Sequence, residues 1–135
     1  MIKGTYTLHN GKSYFQKKNL ITLLGDSFFL NRMITNQIKP IEYIVFGNSQ
    51  IRPTRNDLSL GNEILRKKCS SKIDLENKKI ILTCTCNVQE IIDTTEIGVH
   101  NGDILISHDV YELPEGFIDE TLDTIDVKYT FELEV

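Results

Sequence analysis

The strictest pattern in the chain lies near its end. From Ile125 to Val135 every second residue is apolar (Ile125, Val127, Tyr129, Phe131, Leu133, Val135), with Asp126, Lys128, Thr130, Glu132 and Glu134 between them. A period of two predicts a long strand with one buried and one wet face. Thr5 to Leu8 alternates over a shorter span, and His9-Asn10-Gly11-Lys12 reads as a turn. Ile41 to Gly47 is rich in β-branched and aromatic residues, which predicts a strand inside a sheet. Lys79 to Val88 predicts another, with Leu82, Cys84, Cys86 and Val88 on one face and Ile81, Thr83 and Thr85 on the other. Glu76-Asn77 supplies a turn just before it, so 67–74 is expected to pair with 79–88.

Two apolar runs flank Asn101-Gly102 in the stretch Glu96 to His108. Asn-Gly can hold positive φ at both central positions of a two-residue turn, so a tight hairpin is expected there. The second run continues to about Tyr111, and Leu113 to Phe117 reads as a loop. Asn19 to Ile34 has a different rhythm. Its apolar positions Leu20, Leu23, Leu24, Phe28 and Ile34 cover a broad helical face, with Asn19 placed to cap the start and the end before Pro40. Gly25 either weakens this helix by about 1 kcal/mol or allows a close backbone approach. Leu58 to Arg66 reads as a short helical turn or the start of a strand, and on a helix Glu63 and Arg66 would meet as an ion pair. Glu90 to Thr94 is a connector. The sum is six to seven strands with one or two helices. The expected fold class is mainly β, an antiparallel β-sandwich with a packed helix, in a single structural domain spanning 1–135.

Composition changes this picture little. The chain has 135 residues, with 40% hydrophobic and 25% charged, ordinary values for a globular protein. No run approaches the ~18 apolar residues that span a bilayer. The N-terminal Met1-Ile2-Lys3-Gly4-Thr5-Tyr6 lacks the apolar core of a secretory signal, so synthesis in the cytoplasm is expected. Cys69, Cys84 and Cys86 are an odd set with no matching histidine ligand pair, and are expected to be quiet, buried thiols.

Charge is more informative than composition. The net charge is −4, yet residues 1–68 carry eleven Lys and Arg against four acids, while residues 109–135 carry nine acids against Lys128 alone. Either the two segments touch and neutralise each other, or they form opposite patches suited to head-to-tail packing of copies. The polar 48–57 loop and the acidic C-terminal third supply the candidate partner-contact residues: Asn48, Gln50, Arg52, Arg55, Glu115, Asp119, Glu120 and Asp123. Nucleic acid is not an expected partner, because the cations are scattered and the whole chain is acidic.

Candidate chemistry is sparse. Ser107, His108 and Asp109 are consecutive, so on a strand they point alternately to opposite faces and cannot form a relay. Gly47 and Gly61 stand alone and make no phosphate loop, and Asp103 has no ladder of acids for calcium. No catalytic, cofactor or metal residues are assigned, and no enzymatic role is expected.

The order of features resembles small bacteriophage virion structural proteins associated with tails, baseplates or fibres. The likeness runs over roughly residues 20–134. It comprises a Gly-containing helical segment, Ile41-Glu42-Tyr43-Ile44-Val45-Phe46-Gly47 as I-x-Y-I-x-x-G, Pro53-Thr54 in the loop, Leu60, Glu63 and Arg66 as L-x-x-E-x-x-R, Glu96-Ile97-Gly98-Val99, the Asn101-Gly102 turn, and the closing alternating strand. His108 stands where an arginine is expected, and Asn48-Ser49-Gln50 where a glycine-rich tip is expected. The resemblance implies a non-enzymatic virion component made in the host cytoplasm and present in several copies. It would act through contacts with other virion proteins and copies of itself, without cofactors or membranes. A capsid decoration protein or a surface-glycan binding module is the alternative.

Overall fold

The computed structural model describes residues 2–119 and 121–133. Among the described residues, ten strands and two helices run in the order β1 (Ile2–His9), β2 (Tyr14–Lys18), β3 (Leu20–Ile21), α1 (Leu23–Arg32), β4 (Tyr43–Gly47), β5 (Glu63–Lys68), β6 (Ser70–Asp74), β7 (Lys79–Asn87), α2 (Val88–Ile91), β8 (Glu96–His100), β9 (Leu105–Val110) and β10 (Thr124–Leu133). They form two five-stranded sheets, ordered β2-β1-β10-β7-β6 and β3-β9-β8-β4-β5. Every neighbouring pair is antiparallel. The two sheets pack together as a β-sandwich with a helix against it, as the alternation predicts.

β10 lies at the centre of the first sheet, between β1 and β7. Ile125, Val127, Tyr129 and Phe131 are buried on its inner face as expected. They meet Ile44, Phe46, Ile97 and Val99 of the second sheet in one apolar cluster. Leu133 breaks the pattern. It is exposed, because the sandwich opens at that end into an apolar groove. Glu134 and Val135, also assigned to this strand, lie outside the described residues.

Single residues carry the chain between layers at two places: Asn19 joins β2 to β3, and Cys69 joins β5 to β6. The first corner accounts for two differences from the sequence reading. Asn19 is not a helix cap; its N–H donates to the Gly4 carbonyl, and Leu20 and Ile21 pair with His108 and Ser107. Thr22 caps α1 instead, accepting from the Gly25 N–H at 2.9 Å while its hydroxyl donates to the Leu105 carbonyl at 2.8 Å. A Cβ on Gly25 would collide with the Ile106 carbonyl oxygen, so this glycine serves close packing of helix on sheet.

Within the 58–66 stretch, residues 58–62 close the loop and strand begins at Glu63, so the strand alternative holds and not the helix: β5 pairs with β4. A bulge shifts the register so that Phe46 faces Leu65 while Gly47 faces Glu63. The extra residue reverses side-chain parity, which lets Glu63 and Arg66 share a face and pair at 2.8 Å although they are three apart on a strand. Arg66 also lies over the Tyr43 ring, 5.1 Å from its centroid. The expected β6–β7 hairpin is present, with Lys78 at φ 56° in its turn. Val88 belongs to the short helix α2, not to the preceding strand.

The 96–110 hairpin forms, but not through a two-residue turn. Only Gly102 of the Asn-Gly pair takes positive φ, and β8 and β9 are joined by residues 101–104. Asn101 is buried, and its side-chain oxygen accepts from the N–H groups of Asp103 and Ile104 at 2.9 and 2.8 Å. This side-chain turn replaces the backbone turn.

Candidate functional site

Glu96 opens β8 and is 0% exposed, an unusual place for a carboxylate. Its oxygens accept from the backbone N–H groups of Asn62 (2.8 Å), Gly61 (3.0 Å) and Ser49 (3.2 Å), and from His108 Nε2 at 2.8 Å. The three backbone donors belong to the two ends of the 48–62 loop, so one carboxylate ties both ends to the sheet. His108, 3% exposed at its side chain, reaches the middle of the loop: Nδ1 lies 2.9 Å from Asp57 Oδ2. Both ring nitrogens therefore lie within hydrogen-bond distance of a carboxylate oxygen.

The sheet register explains why these groups meet. Gly98 faces His108 across the hairpin, so Glu96 and His108 share the outer face of the second sheet. Leu60 of the loop packs on Val45 and Leu105 of that face as a small second core. Gly47 and Gly98 leave the necessary room. A Cβ on Gly47 would strike Glu96, and one on Gly98 would sit 2.6 Å from the Ser107 carbonyl and 3.2 Å from Leu60. Asp57 accepts from the Thr54 N–H and hydroxyl at 2.8 and 2.9 Å. Burial works against its charge, but the bonds from Thr54 and His108 hold its carboxyl below the usual range.

Ser107 and Asp109 face the other way, into the sandwich. Tyr6 donates to Asp109 at 2.5 Å, and Ser107 shares a 2.7 Å hydrogen bond with Tyr129, which is also bonded by Asn19. Burial pushes the Tyr6 and Tyr129 phenols far above their normal range. The three consecutive residues therefore serve two separate networks. In chemical terms His108 is a clamp: both ring nitrogens are committed to carboxylates, and the chain that covers it is the loop it holds.

The candidate contact residues fall into two groups. Asn48 is tied within the loop, accepting from Asn62 Nδ2 at 2.6 Å. Gln50 and Arg52 are exposed, Gln50 beside Val110 and Glu112, Arg52 in a cleft with Lys17, Lys18 and Asp109. Arg55 pairs with Asp26 of α1. In the other group Glu115, Asp119 and Asp123 are all exposed. Asp119 accepts from the Thr121 N–H at 2.9 Å, a bond that lowers its carboxyl below the usual range. Glu120 lies outside the described residues. Among the described residues no ion pair joins the two groups, and only Lys17–Asp109 links the basic first half to the acidic segment from 109 onward.

Cys84 and Cys86 share a face of β7 as expected, and Cys86 is fully buried, while Cys69 and Cys84 are half-buried. The hydrogen bond to Cys86 and burial push the Cys84 thiol up, and burial raises Cys69. Among the described residues no group of His, Cys, Asp and Glu is arranged to hold a metal, and no helix is long and apolar enough to cross a membrane.

The Glu96–His108–Asp57 clamp is absent from the sequence reading. Its one visible signal is a glutamate heading the apolar run Ile97-Gly98-Val99, since a strand buried on both faces has no use for a free charge. Comparison of the chain with protein-family models, curated proteins and solved structures gives no match.

Proposed function

We propose that this chain is a non-enzymatic structural component of a bacteriophage particle, tail-associated, acting through protein–protein contacts. One observation carries the reading. The short motifs that resemble phage virion proteins are scattered over the sequence, yet Gly47, Thr54, Leu60, Glu96, Gly98 and His108 all act on the seating of one loop. A shared pattern built for loop presentation fits an assembly protein, whose specificity resides in what the loop displays. His108 bridges two carboxylates at the position where the resemblance leads one to expect arginine, whose guanidinium would serve the same bridge.

The loop tip, with Gln50 and Arg52 exposed, and the acidic 112–123 segment are the contact surfaces this reading favours. The test is mass spectrometry of purified, fractionated particles from the phage or prophage whose genome encodes the chain. Recovery with tails at the level of other structural proteins is expected. Recovery with capsids alone moves the role to capsid decoration, and absence from every particle fraction overturns the proposal.

A further inference from the structure

The two sheets have four edges, and three are protected against pairing with another chain. β3 is two residues long, β5 is bulged and carries Arg66, Lys67 and Lys68, and β2 carries Lys17 and Lys18. Lys17 further covers its edge by donating to the Val110 carbonyl at 2.7 Å. Short strands, bulges and lysines are the standard protections of a sheet edge.

β6 is the least protected: its one lysine, Lys72, is followed two residues on by Asp74, and it has no bulge. It pairs with β7 over five residues, and among the described residues its far side makes no backbone hydrogen bond. Ile73 points to the inner face of the sheet, in register with Ile80 and Phe131, yet it is 71% exposed because the second sheet stops short of it. Beside it run two adjoining apolar grooves of about 290 and 560 Å³, both bordered by Phe29, Ile73 and Ile80. Leu75, next along the chain, is 84% exposed.

We propose that the β6 edge is the site where a second copy of this chain docks, antiparallel and two-fold symmetric about Ile73. The argument is charge order. β6 reads Ser70-Ser71-Lys72-Ile73-Asp74. Paired with itself about Ile73, Lys72 of each copy stands opposite Asp74 of the other, and the two Ile73 side chains meet on the inner face. The same register sets Leu75 of one copy against Ser71 of the other, and Ser71 borders the larger groove. One arrangement thus pairs the open edge, matches both charges and covers the exposed Ile73 and Leu75. An isologous contact of this kind closes at two copies and joins two sheets into one of ten strands.

The docking extends the assembly reading but is measured on the purified chain alone. Sedimentation velocity over a concentration series is expected to show a monomer–dimer equilibrium. Ile73→Lys, which places a charge on the inner face of an already exposed position, should give monomer with an unchanged circular dichroism spectrum. Lys72→Glu sets two acid pairs face to face and should weaken the dimer about tenfold or more. Adding Asp74→Asn to Lys72→Glu removes the repulsion, keeps an acceptor for the Asn77 N–H, and should recover most of the loss. Ile51→Lys, at an exposed isoleucine of the 48–57 loop, should change nothing. A chain that stays monomeric up to millimolar concentration, or a dimer indifferent to Ile73→Lys and Lys72→Glu, overturns the edge contact. A monomer that is still recovered in particles overturns it while leaving the assembly role standing, and a β6 dimer absent from particles does the reverse.

Discussion

Replacing Glu96 by alanine removes the acceptor for four donors: the N–H groups of Ser49, Gly61 and Asn62, and His108 Nε2. A buried donor without a partner costs about 1–3 kcal/mol, but the backbone donors sit at the loop, where water reaches them once the loop lifts. The imidazole has no such escape on that side. Losing the acceptor of four hydrogen bonds, only some of whose donors water can rescue, is expected to cost about 3–5 kcal/mol of stability. With an unfolding entropy of about 2.1 cal/mol/K per residue, the 135 residues convert this into a fall in melting temperature of about 10–18 °C. Urea unfolding followed by circular dichroism measures the first quantity and calorimetry the second. Amide hydrogen exchange gives the location: protection should vanish at Ser49, Gly61 and Asn62 while the β10–β7 ladder keeps its own. Glu96→Gln retains an amide oxygen for two of the donors and should cost roughly half as much. A Glu96→Ala protein that loses less than about 1 kcal/mol, with those three amides still protected, would refute the idea that this carboxylate seats the loop.

The ring nitrogen Nδ1 of His100 accepts from the Gly102 N–H at 2.9 Å, and burial together with neighbouring Arg66 lowers its pKa from 6.5. The folded state therefore binds that proton less readily than the unfolded chain, so stability is full above the unfolded pKa and falls as pH drops toward the folded one. His100→Gln should flatten stability between pH 7 and 5 in urea titrations, leaving the separate loss below about pH 4 to which the lowered Asp57 contributes. Gly25→Ala should destabilise despite a helix-propensity gain of about 1 kcal/mol, because overpacking against the Ile106 carbonyl costs about 1–3 kcal/mol; a raised urea midpoint would contradict this. Tyr129→Phe strands the Ser107 hydroxyl and the Asn19 amide inside the sandwich and should cost about 1–3 kcal/mol by the same titration.

Much of the fold was legible because a two-residue period survives wherever a strand has one wet face. β10 and β7 announce themselves in this way, β4 through its β-branched and aromatic residues, and the β6–β7 turn follows from Glu76-Asn77. Three things were hidden for stated reasons. Leu20 and Ile21 share an apolar run with α1, and two residues are too few to show a period; only the tertiary partner His108 makes them strand. β5 was ambiguous because its bulge gives Glu63 and Arg66 a helix-like meeting on a strand. The Asn101-Gly102 turn followed side-chain hydrogen bonding over backbone preference. The candidate site was read as a loop and an acidic stretch, which is where the exposed side chains are. The clamp beneath was not, since Glu96, His108 and Asp57 are distant in sequence and become neighbours only through the hairpin register and the return of the loop.

Glu96 grips the 48–62 segment by its main chain, through three peptide N–H groups that nearly any amino acid provides. Between those anchor points and Asp57, residues 50–52 are exposed and, among the described residues, make no side-chain hydrogen bond that moors the segment. A lineage can therefore rewrite those positions to suit a new neighbour without re-engineering the scaffold, and a laboratory can graft foreign tripeptides there on the same grounds.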